Sequence, residues 1–211
     1  MYDLTQPLNE DIPRFPGDPA VRIEAIHDFA PWQISVLAMG THSGTHMDAP
    51  RHRIPGAAGI GAYGPDRLVG RGLVIDASGM VENVAIPVSV LDGLLEETWP
   101  GWFAVVRTGW DRHWGDDRYF RHPYHSPDLA EALVAARAGI VAIDTLSIDS
   151  TVDSGSETHV ILLGADVLIA ENLCRLDTLD SARPHTFAFL PLSLGDADGS
   201  PARVVAWDTP D

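Results

Sequence analysis

Four side chains that can bind a metal ion lie within eleven residues of one another near the start of the chain. His42, His46, Asp48 and His52 belong to the segment THSGTHMDAPRH, residues 41–52. Neutral imidazole and carboxylate are natural ligands of zinc and manganese, and a bound cation makes their close packing favourable. The alternative is a polar surface loop that happens to contain histidines. Four candidate ligands, interrupted by a glycine and a proline, favour the metal site.

The spacing of these residues also predicts a turn. In a fully extended chain, at about 3.3 Å per residue, His42 and His46 would lie roughly 13 Å apart and could hardly share one ion. Gly44 permits the backbone angles or the close approach that such a turn needs. Pro50 then redirects the chain before His52.

Short β-prone runs bounded by Gly, Pro or Asp predict the strands that must position this segment. These runs cover residues 21–26, 72–76, 103–107, 140–143, 186–190 and 203–207. A turn-rich stretch, residues 195–201, separates the last two.

Helical patterns are fewer. Proline opens predicted helices at residues 87–95 and 126–138, and a third helix is expected over residues 164–175. Because strands outnumber helices, we expect an α/β or α+β domain with a mixed sheet. No linker or repeat divides the chain, so residues 1–211 are expected to form one domain.

Composition limits the possible partners. The formal net charge of −16 repels the phosphates of nucleic acid, so we expect no nucleic-acid partner. With neither an apolar run of membrane-spanning length nor a signal-peptide pattern, the sequence predicts a cytoplasmic protein without a membrane partner. Cys174 is the only cysteine, which excludes an intrachain disulfide and a thiolate-rich zinc site. We expect Cys174 to be a small core side chain.

The motif H-x-G-T-H-x-D-x-P-x-H, from His42 to His52, resembles that of the cyclase family, which includes bacterial kynurenine formamidases and isatin hydrolases. Segments 15–18, 107–110, 144–149 and 198–203 extend the resemblance over nearly the whole chain. The resemblance implies a swivelling β/β/α-type domain, assembled as a homodimer or a larger homo-oligomer such as a tetramer.

The same resemblance implies roles for individual residues. His42, His46 and Asp48 would be metal ligands, with Asp48 able to bridge two ions, and His52 would donate and accept protons. A later His and Glu twelve residues apart complete the family's centre, and His159 and Glu171 match that separation. The cofactor would be Zn²⁺ or Mn²⁺, with one or two ions per subunit.

Glu171 also stands out without the resemblance. On the predicted helix its carboxylate would face the apolar stripe of Val167, Leu168 and Cys174, and a buried carboxylate needs a cation or a proton. Arg175 is the alternative partner. His159, before an apolar run, could instead simply end a strand.

The remaining candidates carry weaker signals. Phe15 would line the substrate pocket by the resemblance, where kynurenine formamidases usually carry tryptophan; an ordinary buried ring is the alternative. Asp144 and Asp149 follow a predicted strand, where they could support the site or cap a turn. We expect three further histidines to be exposed loop residues, with substrate gating as the alternative: His113, His122 and His125.

These features together predict a metal-dependent hydrolase that cleaves the amide bond of a small aromatic substrate, in the manner of an arylformamidase. An alternative is a cyclase, dehydratase or ring-opening hydrolase that acts on isatin, a cyclic imide or a lactone at the same centre. A noncatalytic metal-binding or small-molecule-binding domain is a third possibility. It is disfavoured because a purely structural site does not need a spare base such as His52.

Overall fold

The computed structural model describes residues 1–26, 31–153 and 155–209. The strands in these ranges are β1 (Tyr2–Asp3), β2 (Arg22–Ile26), β3 (Ile34–Ala38), β4 (His46–Asp48), β5 (Val69–Asp76), β6 (Ala85–Ile86), β7 (Phe103–Arg107), β8 (Tyr124–His125), β9 (Ile140–Ile143), β10 (Leu168–Glu171), β11 (His185–Pro191) and β12 (Gly199–Asp208).

The α-helices are α1 (Pro65–Leu68), α2 (Pro127–Ala135) and α3 (Glu157–Gly164). Single 3-10 turns cover Pro50–His52, Ile60–Ala62, Val88–Leu91, Leu95–Glu97, Trp110–His113, Asp117–Arg121 and Leu176–Thr178.

Eight strands form a mixed sheet in the order β1-β12-β11-β5-β7-β9-β10-β4. Strands β5, β7, β9 and β10 are parallel to their neighbours within that group, whereas β4, β11, β12 and β1 pair antiparallel. The first residues of β12 also pair with β4, which closes the sheet into a barrel-like ring. Gly199 is required at this closure, because a Cβ there would lie 2.6 Å from the Met47 carbonyl oxygen.

The alternation of side chains along the central strands builds two cores. One set of buried residues, including Val74, Val105 and Ala170, faces the inside of the closed sheet. The other set, including Val106, Ile143 and Ile169, faces outward and packs beneath α2 and α3. In β4 only Met47 belongs to the inner core, so His46 and Asp48 face outward with the helices.

Most of the predicted elements are confirmed. The six predicted strands correspond to β2, β5, β7, β9, β11 and β12. The predicted helix at 126–138 is α2, whose N-terminus is capped by the Ser126 side chain accepting a hydrogen bond from the Leu129 amide. The mixed sheet of an α/β domain is confirmed as well.

Three local predictions are wrong. Residues 87–95 form short 3-10 turns rather than an α-helix, and Gly93 interrupts them at a φ of 78°. Residues 164–175 are not a helix: α3 ends at Gly164, Asp166 takes a φ of 59°, and the next apolar run is β10. A short buried apolar run has no periodicity that separates a strand from a helix. Residues 199–201 belong to β12 rather than to a turn, because they pair with β4.

The described ranges contain no helix with the length and the apolar character that a membrane span requires.

Candidate metal centre

Strand register brings two distant parts of the chain together at the site. In the antiparallel pair of β10 and β4, Glu171 lies directly opposite His46, and Asp48 lies two residues further along on the same face. The His46 Nε2 atom is 3.4 Å from a Glu171 oxygen and 3.3 Å from Asp48 Oδ1. Both carboxylates and the imidazole are buried.

A tight turn sets the orientation of His46. Gly44 adopts a φ of 64°, and its carbonyl oxygen lies 2.8 Å from His46 Nδ1. Since a carbonyl only accepts, Nδ1 carries the proton in this hydrogen bond, and the lone pair of the neutral ring lies on Nε2. That lone pair is directed at two carboxylates, which is favourable only if a cation or a proton lies between them.

Helix α3 supplies the second imidazole. His159 lies in the first turn of α3 and donates from Nδ1 to Asp149 Oδ2 over 2.6 Å. Asp149 also accepts hydrogen bonds from the backbone amides of Thr158 and His159, so its carboxylate caps the helix as well. The free Nε2 of His159 lies 3.4 Å from Glu171 and 3.6 Å from Asp48 Oδ2.

The electrostatics of this cluster fit a divalent cation. Asp48 Oδ2 is buried and accepts no hydrogen bond from the described residues. Burial alone would lower the pKa of His46, but the carboxylates of Asp48 and Glu171 outweigh it and raise that pKa to about 10. Burial and the repulsion from Asp48 would raise the pKa of Glu171, but the facing imidazoles of His159 and His46 outweigh both and lower that pKa. A positive charge would therefore stabilise the site, and the nitrogen and oxygen atoms present are suitable ligands for a divalent cation.

His42 and His52 extend the cluster toward the surface. His42 contacts Asp48 Oδ1 through Nδ1 at 2.7 Å and Asp198 through Nε2 at 2.9 Å. His52 follows Pro50 in a 3-10 turn, and its Nδ1 makes a 3.4 Å contact with the same Asp198 carboxylate. Burial lowers the pKa of His52, and the nearby imidazoles of His42 and His159 add to that effect. These effects favour the neutral form of His52, which is half-buried at the edge of the cluster.

A cavity of about 220 Å³ opens over these side chains. It is lined by all six clustered residues that the sequence singled out, and also by Phe15, Arg53, Asp149 and Ser156. Phe15 is not a buried core ring, because 42% of its surface is exposed. The structure therefore assembles every predicted site residue around one cavity, while their roles as ligands, proton carrier and substrate contact stay predictions.

Several local expectations need correction. Glu171 is buried on a strand rather than on a helix, and its partners are His46, His159 and the Ile148 amide. Arg175 is not its partner, since that guanidinium binds the carbonyl oxygens of Asp3 and Thr5.

Two of the three loop histidines are also buried rather than exposed. His122 lies between the Pro123 carbonyl and the Thr151 hydroxyl, and burial lowers the pKa of His125 to about 4. Neither lines the cavity. Cys174 is buried, as expected of a small core side chain.

Sequence reasoning missed Asp198 and Arg53 as site residues and left Asp149 undecided between a supporting and a capping role. Asp149 does both. Asp198 lies 146 residues from His52. The resemblance of segment 198–203 to the family and its acidic, glycine-rich surroundings marked this part of the chain but gave Asp198 no role. Asp144 lies elsewhere: it accepts hydrogen bonds from Thr108 and Gly109 and thereby ties the ends of β7 and β9 together.

The fold and the site define the class of protein: a mixed α/β enzyme domain with a candidate centre for divalent metal at the edge of a closed sheet. Residues 2–150 match the Cyclase family model, described as “Putative cyclase”. The chain belongs to this cyclase family.

Named relatives agree with that assignment. The kynurenine formamidase of Bordetella pertussis is 32% identical over 218 residues, covering 97% of this chain and 96% of that protein. Isatin hydrolase A from Ralstonia solanacearum superposes with a TM-score of 0.85 at 26% identity, covering 98% of this chain and 91% of that one. A structure described as a potential metal-dependent hydrolase with cyclase activity gives a TM-score of 0.83 at 28% identity, covering 100% of this chain and 98% of that one.

Proposed function

We propose that this protein is a metal-dependent hydrolase that cleaves the amide C–N bond of a small aromatic substrate. The observation that carries the proposal is the buried convergence of the His46 and His159 Nε2 atoms on the carboxylates of Asp48 and Glu171. One oxygen of Asp48, Oδ2, is buried and has no hydrogen-bond partner among the described residues. The similarity to kynurenine formamidases over nearly the whole chain supports the choice of reaction.

His42, His46, Asp48, His159 and Glu171 would hold the metal. A divalent ion bound there supplies Lewis acidity, which activates water and polarises the substrate carbonyl. Zinc and manganese both accept this set of imidazole and carboxylate ligands. Two groups of three candidate ligands share Asp48: one adds the half-buried His42 and the buried His46, and the other adds the buried His159 and Glu171. Because Asp48 belongs to both groups, these residues would be able to hold one or two ions.

His52 is proposed as the proton carrier. It lies beside the ligand cluster, with its ring 4.1 Å from that of His42 and 5.6 Å from that of His159, measured between centroids. Its contact with Asp198 favours the tautomer with a proton on Nδ1, which leaves Nε2 able to accept a proton from the attacking water. The same nitrogen then donates that proton to the leaving amine.

The volume and the lining of the cavity support the proposal of a small aromatic substrate. Its volume of about 220 Å³ is below that of sites for drug-sized ligands, roughly 300–1,000 Å³. Phe15 presents an exposed ring to this cavity, on which an aromatic substrate would stack. Phenylalanine keeps the stacking surface but lacks the indole N–H of a tryptophan.

A second candidate is the opening of a cyclic aryl amide such as isatin. The similarity to isatin hydrolase A from Ralstonia solanacearum favours it, and the same centre serves both reactions because each adds water to an amide carbonyl.

We also propose a homodimer or a larger homo-oligomer such as a tetramer. The two-stranded ribbon of β2 and β3 exposes apolar side chains on both strands, among them Ile23, Ile34, Val36 and Leu37, each more than 40% exposed. An isolated ribbon of this kind is marginally stable, and a second copy of the chain would cover it.

The proposed function is tested on protein purified without chelator. Elemental analysis should find zinc or manganese at one to two ions per chain, and chelation should abolish activity that the same metal restores. N-formylkynurenine, N-formylanthranilate, isatin, a cyclic imide and a lactone then form the substrate panel. Turnover of a formamide supports the first candidate, and turnover of isatin alone supports the second. Stable metal binding without turnover of any member would contradict the hydrolase proposal.

A further inference from the structure

Arg53 is the cationic side chain of a cavity otherwise rich in carboxylates. It follows His52 directly and caps the 3-10 turn Pro50–His52, with its amide donating to the Pro50 carbonyl. Asp18, Asp48, Asp149 and Glu171 line the same cavity. Among the described lining residues, no other lysine or arginine is present.

The guanidinium of Arg53 forms few interactions with the described residues. It donates one hydrogen bond, from Nη2 to the hydroxyl of Ser156 at the start of α3. Within the described part of the chain it forms no ion pair, although its neighbour Arg51 lies 3.8 Å from Asp196. Because arginine carries five N–H donors in a planar fork, most of its capacity to bind an anion remains.

The acidic character of the protein and of the cavity gives the positive charge of Arg53 its importance for binding an anion. A protein with a net charge of −16 repels an anionic substrate. The metal would offset the charge of Asp48 and Glu171, the two carboxylates of the cavity that belong to the candidate ligand set. Positive charge at the side of the cavity therefore comes from Arg53. The Ser156 hydroxyl, which also lines the cavity, provides a second donor beside it.

We infer that Arg53 is a specificity-determining residue that binds a carboxylate group of the substrate. The substrate class is then an aromatic amide that carries a carboxylate, with its ring toward Phe15 and its amide toward the metal ligands. This inference rests on the proposed function for the identity of the scissile bond, but the anion site itself does not depend on turnover.

The test compares a charged substrate with its neutral counterpart. N-formylanthranilate and its methyl ester are assayed with the wild-type protein and with Arg53→Gln, Arg53→Lys and Arg51→Gln. Arg51→Gln is the matched control, because Arg51 is exposed and does not line the cavity. Metal content is measured for every variant.

Loss of a hydrogen bond to a charged group costs enough to weaken binding about 10- to 100-fold. Arg53→Gln should therefore raise KM for N-formylanthranilate by about that factor, with little change for the ester or in kcat. The KM of Arg53→Lys for N-formylanthranilate should lie between those of the wild type and Arg53→Gln, because lysine keeps the positive charge but lacks the planar set of N–H donors of the guanidinium. Arg51→Gln should behave as the wild type does. Equal effects of Arg53→Gln on both substrates, or no effect on either, would overturn the inference.

A binding measurement separates this inference from the proposed reaction. Calorimetry with 2-aminobenzoate and its methyl ester requires no catalysis, and Arg53→Gln should weaken only the charged ligand. If the wild type cleaves neither formamide but binds 2-aminobenzoate through Arg53, the proposed reaction fails while the anion site stands. If it cleaves both and Arg53→Gln changes nothing, the reaction stands and the anion site is rejected.

Discussion

The substitution Asp149→Asn should lower both the metal affinity and the free energy of unfolding, although Asp149 is not one of the candidate metal ligands. The Asp149 carboxylate accepts hydrogen bonds from the Thr158 amide, the His159 amide and His159 Nδ1. Asparagine keeps one acceptor oxygen and turns the other position into an NH₂ donor. That donor must face one or two of these N–H groups whichever way the amide is oriented.

The magnitude follows from these contacts. At least one hydrogen bond is lost and the others lose their charge, and hydrogen bonds to charged groups contribute roughly 1.5–3 kcal/mol each. We expect the free energy of unfolding of the metal-free protein to fall by about 2–4 kcal/mol. If the amide NH₂ faces the His159 ring, Nδ1 must accept, and the proton moves to the Nε2 that faces Glu171. Metal affinity should therefore drop about 10- to 100-fold, as for other partners that orient a metal-binding histidine.

Urea unfolding of the metal-free protein and chelator competition for the metal measure the two effects separately. Asp153→Asn is the matched control, because Asp153 is exposed on the same loop and its carboxylate accepts a hydrogen bond only from the Ser150 hydroxyl among the described residues. The control should change the free energy of unfolding by less than about 0.5 kcal/mol. If Asp149→Asn keeps metal affinity within twofold of the wild type, Asp149 does not orient His159, and the reasoning is refuted.

Three other predictions concern the ligand set, the proton carrier and the assembly. Glu171→Gln should lower metal affinity at least tenfold by chelator competition, whereas Glu157→Gln, exposed in the first turn of α3, should not; equal affinities would remove Glu171 from the ligand set. His52→Ala should lower kcat about 10²- to 10⁴-fold with metal content unchanged, and parallel loss of both would make His52 mainly a ligand. Val36→Glu on β3 should shift the protein toward monomer in sedimentation velocity, whereas Val81→Glu, 64% exposed in a loop, should not; an unchanged oligomer would place the interface elsewhere.

Local sequence patterns predicted the strands well because their causes are local. The run at 140–143 is continuously apolar, mostly β-branched and bounded by Gly139 and Asp144, and it forms β9 with the predicted bounds. The helix predicted at 164–175 is wrong, because a short buried apolar run is compatible with either a helix or a strand. There the pairing of β10 with β9 and β4 decided the outcome, and neither partner is near in sequence.

Glu171 is buried as predicted, although it lies on a strand rather than on a helix. A carboxylate in an apolar environment needs a cation whether its backbone is helical or extended, so the inference of burial held although the element was wrong. The predicted Arg175 partner was a neighbour in sequence only. Across the β10–β4 register the facing residue is His46.

The sequence by itself determined which residues have the chemistry to hold a metal, because imidazole and carboxylate keep their ligand properties in any fold and cluster densely between His42 and His52. It also determined the short β-prone runs that form most of the strands of the sheet. Only the tertiary structure decided that Asp198 contacts His42 and His52, that Asp149 orients His159, and that Arg53 faces the cavity. Those relations depend on strand register and helix packing, which are set by contacts between residues far apart in the chain and leave no local periodicity to detect.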